Sequence, residues 1–256
     1  MPAVIEIFNA LNEKLPMSYK MDIDNCGFMI GNSYTNVKKA LTALDVTLPV
    51  VEEAKRENRE LIISHHPLMF HPAKTLTDET ASGIVIQSVI KNGLAVISMH
   101  TNADCAEGGL NDLLAAKIGL KNIKPLQSLL GRCGEIPGEM SVTGFLHYLK
   151  ETLAPFNGAR YVDAGLPVKR LAIAGGACDD LLSDAVKAGC DTFITADIKY
   201  SVMLDAATYG INLIDAGHFE TEKVICREFC NIVKSAFPDV DIKTADSNRD
   251  PIEFFM

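Results

Sequence analysis

The sequence predicts an α/β fold with mainly parallel or mixed sheets, and three observations predict it. Short apolar runs rich in Ile and Val alternate with helical patterns. The runs are continuously apolar, as strands covered on both faces must be. Glycines close several of the intervening helical stretches. With 256 residues, 48% of them hydrophobic and 22% charged, the chain can bury one large core or two small ones.

Taken in order, the chain opens on the amphipathic stretch MPAVIEIFNALNEKLP, whose acidic residues and missing basic start argue against a signal peptide. ELIIS (60–64) is the first clear strand, and TASGIVIQSVIKNG supplies the helix that follows it. LAVIS (94–98) is the second strand, followed by the helical GGLNDLLAAKIGL. The Gly- and Pro-rich LLGRCGEIPGEMS (129–141) then interrupts the alternation. A boundary near residues 122–140 is expected there, giving two similar α/β halves, 1–125 and 126–256. Beyond it RLAIA (170–174), DTFIT (191–195) and INLID (211–215) read as strands, with DLLSDAVKAGC and TEKVICREFCNIVKSAF as helices. No apolar stretch reaches membrane-spanning length.

Charge and cysteine content narrow the function classes. A formal charge of −9 disfavours a broad surface for nucleic acid, since Lys and Arg must outweigh phosphate repulsion. The seven cysteines are odd in number, scattered and free of CxxC, which fits a reducing cytoplasm rather than a disulfide framework or a zinc ribbon.

Three strands share a further feature, because the carboxyl end of each delivers imidazoles or carboxylates. ELIIS runs into His65 and His66, LAVIS into His100 and Asp104, and INLID into His218 and Glu222. Ligands of open α/β sheets bind at such ends, so these residues are expected to converge. Histidine with carboxylate suits Zn, Mn, Fe, Co or Ni better than Ca or Mg. Adjacent His65 and His66 diverge if the backbone is extended, which makes one shared ion awkward and two neighbouring ions natural. His218 and Glu222 are four apart at an expected helix start, so both lie on one face, and Glu222 is the expected bridge between two ions. Asp104 completes the set as a second bridge or terminal ligand. His100 is a further ligand or a base beside a metal-bound water.

Other features read as structural. His71 and His147 sit away from the strand ends and read as surface residues. Gly175-Gly176 lacks a GxGxxG or GKS/GKT context and reads as a packing turn. Asp179-Asp180 reads as a helix cap, and Cys226 with Cys230 as small core groups. Ser64 lacks a GxSxG setting for a nucleophile. Asp197 ends a strand at the same edge and is left open between structure and site.

The motifs MDIDNCGFMIGN (21–32), LIISHHPLMF (61–70), ISMHTNADCAEGGLNDLLAAKIGL (97–120), LAIAGGACDDLL (171–182), FITADIKYS (193–201) and LIDAGHFETE (213–222) stand in an order that resembles the NIF-three-like family. Members of that family are often labelled GTP cyclohydrolase I type 2 homologues. The resemblance spans nearly the whole chain. It implies two α/β halves with a dinuclear metal site in the cleft between them, a homohexameric ring, and His65, His66, Asp104, His218 and Glu222 as ligands with His100 close by. Many members carry Trp where Ile23 stands, and Gly and His where Ala196 and Ser201 stand. The expected function is a metal-dependent hydrolase of a nucleotide or related small molecule, holding two divalent cations per chain. The alternatives are a non-catalytic metal-binding scaffold or a ring enclosing nucleic acid.

Overall fold

The computed structural model describes residues 1–154, 156 and 158–253. Residues 155, 157 and 254–256 of the second expected half therefore lie outside the described residues. Helices in chain order are α1 (Val4–Lys14), α2 (Leu48–Arg56), α3 (Ala81–Lys91), α4 (Thr101–Cys105), α5 (Leu110–Ile118), α6 (Val142–Thr152), α7 (Leu182–Lys187), α8 (Tyr200–Tyr209), α9 (His218–Glu222) and α10 (Val224–Ala236). Strands are β1 (Gly27–Ile30), β2 (Lys39–Ala43), β3 (Leu61–Ser64), β4 (Ala95–Ser98), β5 (Lys121–Pro125), β6 (Arg132–Met140), β7 (Arg160–Val162), β8 (Val168–Ile173), β9 (Thr192–Thr195), β10 (Asn212–Asp215) and β11 (Asp241–Thr244). All five apolar runs expected as strands are strands: β3, β4, β8, β9 and β10.

The chain divides into two compact units, the first made of residues 1–106 and 225–249 and the second of 107–224 and 250–256. This differs from a single cut near residue 125. The reason is that β11 returns to pair in parallel with β2, as in Ile242 beside Ala40, a pairing across about two hundred residues that no local pattern announces.

Unit 1 carries a sheet ordered β1-β4-β3-β2-β11, parallel except at β1. Its central strands β3 and β4 are buried along their length, with Ile62 and Val96 packed among Val50, Val51 and Val89 from α2 and α3. Helix α10 is amphipathic and buries Ile225, Cys226, Phe229, Cys230 and Val233, so the two cysteines are core groups as expected.

Unit 2 carries a mixed sheet ordered β5-β6-β8-β9-β10-β7, in which only β8-β9-β10 run parallel. Alternation along these strands builds two cores. Leu171, Ile173, Ile194 and Ile214 meet Leu114, Phe145 and Leu149 on one face, while Ala172, Phe193 and Leu213 meet Leu182, Ala185 and Ala206 on the other.

The Gly- and Pro-rich segment expected as a boundary is instead β6, the longest strand, paired antiparallel with β8. A side chain at Gly134 would put its Cβ 2.7 Å from the Lys121 carbonyl oxygen, so glycine lets β5 approach. Pro137 and Gly138 fall where the ladder shifts register between Glu135 and Met140, a place that needs no regular N–H donor. Glycine and proline here shape a strand rather than end a domain.

Candidate metal centre

In unit 1, β3 and β4 are parallel neighbours with Ser64 beside Ser98, so their carboxyl ends release His65, His66 and His100 side by side. The N–H groups of consecutive residues His65 and His66 donate to the consecutive carbonyls of Ala43 and Leu44. An extended strand alternates its donors, so this pattern marks a bend just past β3. Ser64 secures the bend, its hydroxyl lying 2.8 Å from both the His66 carbonyl and the Ser98 hydroxyl. The two imidazoles consequently do not diverge. Their ring centroids are 5.0 Å apart, and His65, His66 and His100 each offer a ring nitrogen within 4.8 Å of the others.

Each of these rings turns Nδ1 toward an oxygen. His65 Nδ1–H donates to the Met99 carbonyl at 2.9 Å, His66 Nδ1 lies 2.8 Å from Asp45 Oδ1, and His100 Nδ1 lies 3.1 Å from Asp24 Oδ1. Burial alone would raise the Asp24 carboxyl, but His100 and the Thr101 hydroxyl and N–H hold it well below the usual carboxylate range. Asp104, one turn along α4, places Oδ1 3.4 Å from His65 Nε2. A carbonyl can only accept, so neutral His65 carries its proton on Nδ1 and turns its Nε2 lone pair toward a carboxylate. Two acceptors facing each other repel unless a cation or proton lies between them, and a carboxylate with imidazole nitrogens is a donor set that suits a transition-metal ion. Cys26 lies nearby, but burial pushes its thiol up to about 12, which removes it as a thiolate.

Unit 2 repeats the device. Thr195 stands beside Asp215 in parallel register, and His218 opens α9 just beyond. His218 Nδ1 donates to Asp197 Oδ2 at 2.7 Å, while its Nε2 lies 3.0 Å from Glu222 Oε2, one helical turn on. Asp197, left open from the sequence, is thus the group that orients His218, and it does so from a left-handed backbone at φ 53°. Gly175 and Gly176 form a packing turn, Gly176 making room for Glu222 and Gly175 for Leu110 first and Glu222 next. A Cβ at Gly176 would sit 2.1 Å from Glu222 Oε1, and one at Gly175 3.3 Å from Glu222 Cγ.

Asp179 does not cap its own helix. Its carboxylate accepts from the backbone N–H and the Nζ of Lys199, at 3.1 and 3.0 Å, and so fixes the start of α8. His71 and His147 are exposed, and Ser201 is exposed on α8. A further acidic group, Glu53, Glu57 and Asp246, is closed by Lys243, whose Nζ lies 2.9 to 3.3 Å from all three. Asp24, Asp45 and Asp197 are the functional groups the sequence reading did not assign. Only Asp24 and Asp197 stood in motifs singled out beforehand. Among the described residues no helix is long and apolar enough to cross a membrane.

Comparison with known proteins gives the family and the fold. A family model described as Duf34/NIF3 (NGG1p interacting factor 3) matches residues 2–251. A Clostridium perfringens protein named GTP cyclohydrolase 1 type 2 homolog is 35% identical, over 97% of this chain and 98% of its own length. Among solved structures, Staphylococcus aureus hypothetical protein SA1388 is 29% identical with a TM-score of 0.91, covering 99% of both chains. A Bacillus cereus protein related to NIF3 is 25% identical, again with a TM-score of 0.91, over 100% of this chain and 99% of that one. The match runs almost end to end and takes in every strand end described above, and the chain belongs to the Duf34/NIF3 family.

Proposed function

We propose that the chain is a metal-dependent hydrolase of a nucleotide or related small molecule, with His65, His66, Asp104, His218 and Glu222 holding two divalent cations drawn from Zn, Mn, Fe, Co and Ni. One observation carries the reading. In each unit a histidine fixed through Nδ1 turns Nε2 toward a carboxylate, His65 toward Asp104 and His218 toward Glu222, which is an arrangement made for a cation. The name of the Clostridium perfringens relative, GTP cyclohydrolase 1 type 2 homolog, supports a nucleotide as the substrate class.

Bound cations would supply a water of lowered pKa and polarise the group under attack. The chain's own residues do the rest. Asp24 faces His100 Nδ1 and turns the opposite nitrogen outward, which suits His100 to accept a proton at Nε2 as general base. Asp45 and Asp197 keep His66 and His218 in the tautomer that leaves Nε2 as a ligand atom.

The test is elemental analysis of protein purified without chelator, joined to turnover of a nucleotide panel before and after chelation. Close to two ions per chain and activity lost on chelation are expected. A stoichiometry fixed at one ion overturns the dinuclear assignment, and two tightly held ions without turnover favour the scaffold alternative. The proposed assembly is a cytoplasmic homohexamer whose ligand is a small molecule rather than nucleic acid or a membrane. Light scattering at micromolar concentration that returns the 27.8 kDa monomer overturns that part.

A further inference from the structure

Unit 1 sets an aromatic ring beside its imidazoles, and the chemistry above gives that ring no part. Phe70 closes the LIISHHPLMF motif and is 39% exposed, with its ring centroid 6.1 Å from that of His100 and 5.0 Å from that of His71. Its ring stands at 84° to His100 and 83° to His71, the edge-to-face relation that aromatic pairs favour. Two anchors hold the chain just before it. Leu68 packs against the core of unit 1, and the Asn25 side-chain amide donates to the Met69 carbonyl at 2.6 Å.

Asp24 and Asn25 are consecutive, and each sets one of the two groups. Asp24 Oδ1 faces His100 Nδ1 at 3.1 Å, while Asn25 ties down the turn that presents Phe70. The imidazole proposed as a base and a partly open phenyl ring are thereby fixed relative to one another by a single segment. A lone exposed apolar side chain is ordinary on any surface. A phenyl ring needed only to fill space would be buried, as Phe145, Phe193 and Phe229 are, whereas Phe70 is anchored from both sides and still left open.

We propose that Phe70 is the platform on which the base of a nucleotide stacks, which sets the planar heteroaromatic end of the ligand beside His100. Every base has a π-face, and stacking on an aromatic side chain needs no hydrogen-bond match. A ring lying flat on Phe70 stands perpendicular to His100 as well, so it meets the same edge-to-face preference that Phe70 already satisfies. The assignment rests on the hydrolase reading only in calling that nucleotide a substrate.

The chain contains no tryptophan, so Phe70→Trp introduces a single fluorescent reporter at the platform. Guanosine monophosphate should quench it as the base stacks on the indole, and ribose 5-phosphate, which lacks the base, should not. In calorimetry on the full chain, wild type and Phe70→Tyr should prefer the nucleotide over ribose 5-phosphate by about tenfold or more, the scale of one base–aromatic stack. Phe70→Leu keeps apolar bulk without the π-face and should lose most of that preference. Metal content, measured on the same samples, should not change. An unquenched reporter, a wild type that binds both probes equally or neither, or a Phe70→Leu protein that keeps the wild-type preference overturns the platform. So does a Phe70→Leu protein that loses ions or weakens both probes alike, since Phe70 would then support the strand-end loop and not the base. If Phe70→Leu fails to fold, quenching of the Phe70→Trp variant decides. Quenching that persists in a protein without turnover of any nucleotide refutes the hydrolase reading and leaves the platform standing. Nucleotide turnover with an unchanged KM in Phe70→Leu does the reverse.

Discussion

In unit 1 three imidazoles gather at the ends of β3 and β4 with the carboxylates of Asp24, Asp45 and Asp104, whereas in unit 2 a single imidazole stands between two carboxylates at the ends of β9 and β10. The topological position is the same, and the means of support differ. His65 is fixed by a backbone carbonyl and lies fully buried, so its orientation belongs to the sheet itself. His218 is fixed by the exposed Asp197 carboxylate, and the Glu222 carboxylate sits in a seat cleared by Gly176. Unit 1 relies on its core to hold His65 and on the Asp45 side chain to orient His66. Unit 2 relies on side chains and on space that any added atom would fill.

The largest effects come from removing a carboxylate in either unit. On the proposed dinuclear reading, Glu222→Gln keeps shape but removes the charge that would offset two cations, so at least one ion should be lost and turnover should fall steeply. Asp104→Ala should abolish turnover while leaving the fold intact, because Asp104 sits in the short helix α4 and not in the strands. Elemental analysis with circular dichroism checks both. If Asp104→Ala keeps turnover with one ion missing, the comparison breaks, and unit 2 alone holds the catalytic ion.

The five residues proposed as ligands could be named from the sequence because each follows an apolar run that reads as a buried strand. The orienting groups could not. Asp45 lies twenty-one residues before His66 and becomes its neighbour only through the β2–β3 pairing. Asp197 takes its place through a positive φ that its sequence context does not announce. The expected divergence of His65 and His66 failed for a related reason. Period-two alternation holds only inside a strand, and β3 stops at Ser64. The middle of the chain was misread because glycine and proline carry the same letters in a linker and in an irregular strand.

Glycine gives a sharper test of unit 2. Gly176 and Gly189 both have φ 68°, yet a Cβ at Gly176 meets Glu222 and one at Gly189 meets nothing within 4 Å. Gly189→Ala should cost only the backbone strain, about 1 kcal/mol. Gly176→Ala should cost about 3 kcal/mol and displace the Glu222 carboxylate, with metal lost from the protein. Thermal denaturation with and without metal separates the two. Equal behaviour would mean that Glu222 relocates freely and that its seat is not built.

The orienting carboxylates should give smaller and unequal effects. Asp45→Asn and Asp197→Asn each remove an anionic acceptor behind a candidate ligand, for which a loss of roughly 10–100-fold in metal affinity is expected. The loss should be greater for Asp197→Asn, because His66 has the His65 and His100 rings of unit 1 as neighbours, whereas among the described residues His218 is the one imidazole that unit 2 brings to its strand ends. Competition against a metallochromic chelator measures both. A larger loss at Asp45 would reverse the assignment of which unit depends more on side-chain support.

The smallest effect concerns how unit 1 holds its returning segment. Glu53, on α2, is 1% exposed and accepts from the Asp246 N–H at 3.0 Å and from the Ser247 N–H and hydroxyl at 2.8 and 2.6 Å. Lys243, on β11, adds its ammonium at 3.3 Å. Burial by itself would raise the Glu53 carboxyl, but these donors outweigh it and hold the group at about 2, down from the ordinary 4.5. A carboxyl lowered on folding stabilises the fold at every pH above its unfolded value, and that stabilisation disappears as pH falls through 4.5 toward 2. Glu53→Gln cannot titrate there and keeps one acceptor, so it should destabilise the β11 docking by about 1–2 kcal/mol near neutral pH. The difference from wild type should shrink below pH 4.5 and vanish near pH 2. Amide hydrogen exchange at Ile242 and Thr244, read against Ile194 and Ile214 in unit 2, follows it strand by strand. Faster exchange confined to β11 at neutral pH and absent under acid is expected, while equal protection of β11 in both proteins at pH 7 would show that backbone pairing to β2 alone holds the returning strand.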